Sequence, residues 1–161
     1  MDPQQLIAAV RASRLGVELD DSQVQRLAQS MTWREVANGE VLVAAGASDS
    51  HLYAVVSGVL GVVKAPGTPE QTTLHTLGPG DLAGELSFID GASHYAALQA
   101  LAPTTVLALE REQFERILHA DPDLVYCVMR AIVRTVHEVQ RRLSIQAVEL
   151  SNYIFKQHGR Y

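Results

Sequence analysis

The sequence predicts a mainly β domain, an antiparallel sandwich or barrel flanked by helices at both ends. Three observations lead there. Between Glu35 and Leu109, short runs rich in Val, Leu, Thr and Tyr alternate with glycine turns, at the roughly eight-to-twelve-residue spacing of small all-β domains. On either side of that region the apolar residues fall at helical spacing instead. The last stretch, from Asp121-Pro122, contains no Gly or Pro before Gly159. A chain of 161 residues is one domain long enough to bury a core. Its expected parts are N-terminal helices over 1–34, the barrel over 35–110 and C-terminal helices over 111–161.

Taken in order, Pro3 to Leu15 reads as a helix with Leu6, Ile7 and Val10 on one face, and Ser22 to Met31 as a second, capped by Asp20 or Asp21 with Val24, Leu27 and Ala28 inward. From Glu35 the period is that of strands. Asn38-Gly39 marks a tight turn before Glu40 to Val43, and Gly46 marks another. His51 to Val56 leads through Ser57-Gly58 into Val59 to Val63. Ala65 to Gln71 is a loop, Thr72 to Leu77 a strand, and Gly78-Pro79-Gly80-Asp81 a turn. Leu98 to Leu101 and Thr104 to Leu109 complete the set. Arg111 to His119 then reads as a helix, and Asp121 is the natural N-cap of a final helix with Pro122 at its first position. That helix exceeds what one domain covers. Val125, Met129, Ile132, Val136, Val139, Leu143, Leu150 and Tyr153 recur on it at alternating three and four spacing, a coiled-coil seam weakened at Gln146.

Composition excludes several function classes. A net charge of −5 argues against general affinity for nucleic acid or anionic membrane, both of which favour a basic surface. Arg130, Arg134, Arg141, Arg142, Lys156 and Arg160 bias the last helix toward positive charge, but Glu138 and Glu149 interrupt them, which reads as a solvated face. Cys127 is the only cysteine, so no disulfide or thiolate cluster is expected, consistent with a reducing compartment. The apolar run Leu6 to Val10 is too short for a signal peptide and no run approaches a membrane span. A cytoplasmic location follows as the expectation. His51, His75, His119, His137 and His158 show no ligand spacing, so no metal is expected, and neither Ser57 nor Ser87 sits in a hydrolase elbow. An enzyme has no supporting residues.

The chemistry concentrates in Asp81 to Ala100, DLAGELSFIDGASHYAALQA. Gly84 permits close backbone approach, a short helical turn can start at Glu85, and the free amides of such a start attract anions. Asp90-Gly91 ends the turn, and Tyr95, Ala97 and Leu98 resume an extended segment. This stretch resembles the phosphate-binding cassette of the cyclic nucleotide-binding domains, the family of the catabolite activator protein and the regulatory subunits of cyclic-AMP-dependent kinases. Gly84, Glu85, Leu86 and Ser87 fit its motif, with Phe88 at the large apolar position. Asn38-Gly39-Glu40, Gly46, Leu52-Tyr53, Ser57-Gly58 and Gly78-Pro79-Gly80-Asp81 sit where the family has its turns, so the resemblance spans about Val36 to Leu143.

The resemblance implies a jelly-roll barrel, a long dimerisation helix, and cyclic AMP or cyclic GMP as ligand with no cofactor. It assigns Glu85 to a ribose hydroxyl and, counting along the chain, puts Val139 and Gln140 near the base, where Gln140 can bond a purine edge. The family's phosphate-clamping arginine falls on His94, or on Tyr95 with a slip of one. No Lys or Arg occurs between Lys64 and Arg111. A bidentate charge-assisted contact contributes on the order of 1.5–3 kcal/mol, so its loss weakens binding roughly ten- to a hundredfold. The family's DNA-binding helix-turn-helix does not follow the long helix. The expected protein is therefore a stand-alone regulatory module with a weakened nucleotide site, homodimeric through Val125 to Tyr153 and acting on a protein partner. The alternative is a dimeric adaptor that has lost its ligand.

Overall fold

A computed structural model describes residues 2–158, with side chains for 2–154. The charges of Lys156 and Arg160, and Gly159 as the end of the last helix, lie outside the described residues. The chain opens with α1 (Pro3–Ala12), where Asp2 accepts from the Gln4 amide at 3.0 Å and Pro3 occupies the first turn. A 3-10 turn, Gly16–Glu18, leads to α2 (Asp21–Gln29). Asp20 and Gln23 close a reciprocal capping box at its start.

Both N-terminal helices are shorter than their apolar spacing suggests. α1 ends at Ala12 because Ser13 turns its hydroxyl onto the Val10 carbonyl while the Arg14 amide donates to Gly80, across the molecule. Met31 belongs to the first strand, not to the second helix. β1 (Met31–Val36) therefore begins ahead of Glu35, because all six of its residues pair with one strand, from Met31↔Leu109 to Val36↔Thr104, and Met31 is buried.

The strands then follow the expected order: β2 (Val41–Val43), β3 (His51–Ser57), β4 (Leu60–Lys64), β5 (Thr72–Leu77), a two-residue β6 (Leu82–Ala83), β7 (Ala97–Ala100) and β8 (Thr104–Glu110). They form two antiparallel four-stranded sheets ordered β1-β8-β3-β6 and β2-β7-β4-β5, the jelly roll. Tyr95 lies just outside β7. Alternation on β3 and β8 divides the core in two. Tyr53, Val55, Val106 and Ala108 face the second sheet with Leu60, Leu98 and Ala100, while Leu52, Ala54, Leu107 and Leu109 face the helices with Leu15, Leu27, Phe88 and Leu124. Both faces are covered, so β3 carries no polar-out signal.

Between β6 and β7 sits α3 (Glu85–Asp90), and the chain closes with α4 (Arg111–Ala120) and α5 (Pro122–His158). As expected, the Asp121 carboxylate caps α5 by accepting from the Leu124 amide at 3.1 Å. The proposed dimer seam does not run its full length, however. Val125 and Ile132 are buried and Met129 packs against them in the chain's own helical core. The reason is the N-terminal segment, which covers the front of α5 and pins it electrostatically. The nearly buried Glu18 carboxylate, 6% exposed, meets Arg130 at 3.0 Å and Arg134 at 2.7 Å, and Arg26 meets Asp121 at 2.7 Å. Arg130 and Arg134 thus pair with Glu18 while their side chains stay 46% and 62% exposed. From 137 onward every described residue of α5 is exposed.

Candidate functional site

Seven residues were expected at a ligand site: Gly84, Glu85, Leu86, Ser87, His94, Tyr95 and Gln140. The structure does not bring them to one surface. Gly84 holds φ +81 at the N-cap of α3, and a Cβ there would lie 2.7 Å from the His51 carbonyl oxygen. Its glycine is required by the protein's own strand β3, which passes too close for any side chain. Ser87 is buried and donates to the Ala92 carbonyl at 2.6 Å, stitching the loop after α3. Leu86 and Tyr95 point outward, 59% and 75% exposed.

Glu85 lines a cavity of about 180 Å³. Its walls are Arg14, His75–Leu77 of β5, Asp81-Leu82, and Thr135, Glu138, Val139 and Arg142 of α5. Burial raises the Glu85 carboxyl above its ordinary pKa, an effect its own backbone amide and Arg14 partly offset. Gln140 is off this face. Residues 135, 138, 139 and 142 recur at three-and-four spacing and so share one side of the helix, whereas Gln140 is exposed and its carbonyl accepts from Ser144. Counting residues reached the turn of α5 that lines the cavity, at Val139, but could not choose the side on which Gln140 falls.

His94 occupies a different environment. Its amide donates to Ala47 at 2.9 Å and its carbonyl accepts from Gly46 at 2.7 Å, tying the cassette's exit to the turn before β3. Its ring lies against Gly84, with Cε1 3.8 Å from where a Cβ would stand. The Nε2 atom is buried without a hydrogen-bond partner, as is Asp49 Oδ2. Burial lowers the His94 pKa below its ordinary value, with Asp49 opposing in part. The other oxygen of Asp49 lies 2.9 Å from His51 Nδ1, and His51 stacks on Tyr53. Burial thus disfavours a charge on His94.

Cations arrive from far along the chain instead. Arg14 donates through Nε to Asp81 at 3.0 Å and through its terminal nitrogen to Glu138, so one N-terminal side chain joins the cassette's leading turn to α5. Arg142 lies 3.1 Å from His75 Nε2, joining α5 to β5. Arg111, the first residue of α4, donates to the Phe88 carbonyl at 2.7 Å and to that of Ser87, satisfying carbonyls at the end of α3, while Phe88 packs on Phe114 with ring centroids 5.3 Å apart. No local motif marks these three arginines, since each acts across 23 residues or more. Among the described residues no group of three or more His, Cys, Asp or Glu is arranged to hold a metal, and no helix is long and apolar enough to cross a membrane.

Comparison with known proteins places this geometry. Residues 33–121 match the family model described as the cyclic nucleotide-binding domain. An uncharacterized NTE family protein of Mycobacterium tuberculosis is 31% identical over 130 residues, covering 81% of this chain and 22% of that protein. The chain thus spans about a fifth of that relative's length. Among solved structures, a cyclic nucleotide-binding domain from Methylobacillus flagellatus superposes with a TM-score of 0.78 at 21% identity, covering 91% of this chain and 83% of that one. The catabolite activator protein of Thermus thermophilus superposes with a TM-score of 0.68 at 26% identity, covering 84% and 63%. The fold and the matched residues agree: this chain belongs to the cyclic nucleotide-binding domain family.

Proposed function

We propose that this chain is a regulatory module, not a catalyst, that binds a cyclic nucleotide in an atypical pocket and passes its occupancy to a protein partner. The observation that carries the reading is the cavity beneath α5, where the Glu85 carboxylate faces inward from α3 while β5 and the long helix close the other sides. A carboxylate accepts from ribose hydroxyls. What supports an atypical site is His94, at the position the resemblance gives to the arginine, whose Nε2 is buried without a partner and whose charged form burial disfavours. A ligand seated there touches α5 directly, which gives occupancy a route to the exposed half of that helix.

That exposed half supports homodimerisation. Val139, Leu143, Leu150 and Tyr153 remain 36–61% exposed, an apolar stripe that favours burial against a second copy. Leu143→Glu with Leu150→Glu is expected to convert a dimer to a monomer in light scattering, without loss of the barrel. Binding itself is tested by calorimetry and thermal melting with cyclic AMP and cyclic GMP. A ligand at about a hundred times its dissociation constant stabilises by about 2.7 kcal/mol. One observation favours the second reading, a ligand-independent adaptor. The unpartnered Nε2 of His94 is buried beside the Asp49 cluster, where it adds no charge to the pocket. A folded dimer that binds neither nucleotide, and that His94→Arg does not rescue, is the adaptor.

A further inference from the structure

We infer that the cavity lined by Glu85 takes an uncharged ribonucleoside in preference to its cyclic phosphate, an inference that rests on the pocket reading above and makes the cyclic nucleotide the weaker of two ligands. The cavity offers a free acceptor, while the donors around it are engaged. The Glu85 carboxylate lines the cavity with its own backbone amide as its hydrogen-bond partner. Arg14, by contrast, donates to Asp81 at 3.0 Å and to Glu138. Arg111 donates to the Phe88 carbonyl at 2.7 Å and to that of Ser87, and the Ser87 hydroxyl donates to the Ala92 carbonyl at 2.6 Å. An anion entering the cassette must pull one of these donors from its acceptor and leave that acceptor unpaired.

Charge on the walls points the same way. Three carboxylates, Asp81, Glu85 and Glu138, stand against two arginines, Arg14 and Arg142. Arg142 is exposed, where water screens its charge, and burial and that same charge disfavour a charge on its neighbour His75. A cyclic phosphodiester brings a further negative charge to this wall, and like charges brought together weaken binding. It also keeps only its 2′ hydroxyl, because the 3′ oxygen is esterified. A nucleoside brings no charge and offers both vicinal hydroxyls, which match the two oxygens of one carboxylate. Such bonds stabilise the charged form of Glu85, which burial disfavours. Size agrees as well. The cavity, about 180 Å³, is small beside the roughly 300–1,000 Å³ of ordinary ligand pockets, so the ligand without the phosphate ring fits it better.

The test is calorimetric titration of the full chain with adenosine, guanosine, cyclic AMP and cyclic GMP at low and high salt. Each nucleoside is expected to bind roughly tenfold tighter than its cyclic phosphate, or more. Added salt is expected to leave nucleoside binding unchanged and to tighten cyclic nucleotide binding as the repulsion is screened. 2′-Deoxyadenosine is expected to bind roughly tenfold weaker than adenosine, having lost a hydrogen bond to a charged group. Glu85→Gln, checked for folding by circular dichroism, removes a charge and one acceptor, so it is expected to narrow the gap between the two ligand classes. Cyclic nucleotides that bind as tightly as nucleosides, or whose affinity falls with salt, overturn the inference and leave the pocket reading standing. Equal affinity for adenosine and 2′-deoxyadenosine, or a gap that survives in a folded Glu85→Gln, overturns it too. Binding of none of the four removes the pocket reading and this inference with it.

Discussion

Replacing Gly84 by alanine is expected to be the most damaging single-methyl change in the cassette, and Gly39→Ala supplies its control. The two glycines have nearly the same backbone, φ +81 and φ +82, so the cost of holding an L residue in the left-handed region, about 1–2 kcal/mol, is common to both. The unfolded-state gain from losing a glycine, about 0.4–1 kcal/mol, is common as well. What differs is space. A Cβ at Gly39 meets nothing within 4 Å, whereas at Gly84 it stands 2.7 Å from the His51 carbonyl oxygen. That oxygen belongs to backbone at the start of β3, in register with Glu110, and cannot swing aside as a side chain would. Overpacking of this kind costs about 1–3 kcal/mol more. At about 2–4 °C per kcal/mol for a chain of this size, Gly84→Ala is expected to melt about 2–12 °C below Gly39→Ala in parallel thermal scans. Equal melting temperatures would refute the claim that β3 dictates the glycine, and would return its requirement to the ligand.

Two further outcomes follow from buried charge and buried imidazole. Glu18→Ala is expected to destabilise by about 1–2 kcal/mol in urea unfolding, since Arg130 and Arg134 are half-exposed and can turn to water once their partner is gone; in that background Arg134→Ala is expected to cost little more, and a full additive cost would show that the pairs do not clamp α5. His94 has a folded-state pKa below its unfolded value, so its contribution to stability is present above about pH 6.5 and is lost as pH falls through the folded pKa. His94→Asn should therefore shrink the drop in melting temperature between about pH 7.5 and about pH 5.5, to which His75, whose shift has the same sign, also contributes; an unchanged drop excludes His94 as its source.

Local chemistry settled most of the fold. Turn glycines, the Asp20 and Asp121 caps and the short β-branched runs between them are statements about neighbours in the chain, and they located seven of the eight strands and all five helices. β6 escaped because two residues carry no period. Met31 was misassigned because a six-pair ladder and burial outweigh helical spacing. The Gly84-Glu85-Leu86-Ser87 run was legible for the same local reason, and so was the lack of any cation near it. The tertiary structure alone decided which of those residues face the cavity, because a six-residue helix points its side chains in every direction and only packing chooses among them. It alone brought Arg14 to Asp81 and Glu138, across 67 and 124 residues, and Arg142 to His75, across 67. It also divided α5, burying the front of a seam whose spacing is uniform, because what covers an apolar stripe depends on the N-terminal segment that folds back on it, and periodicity records only that the stripe exists.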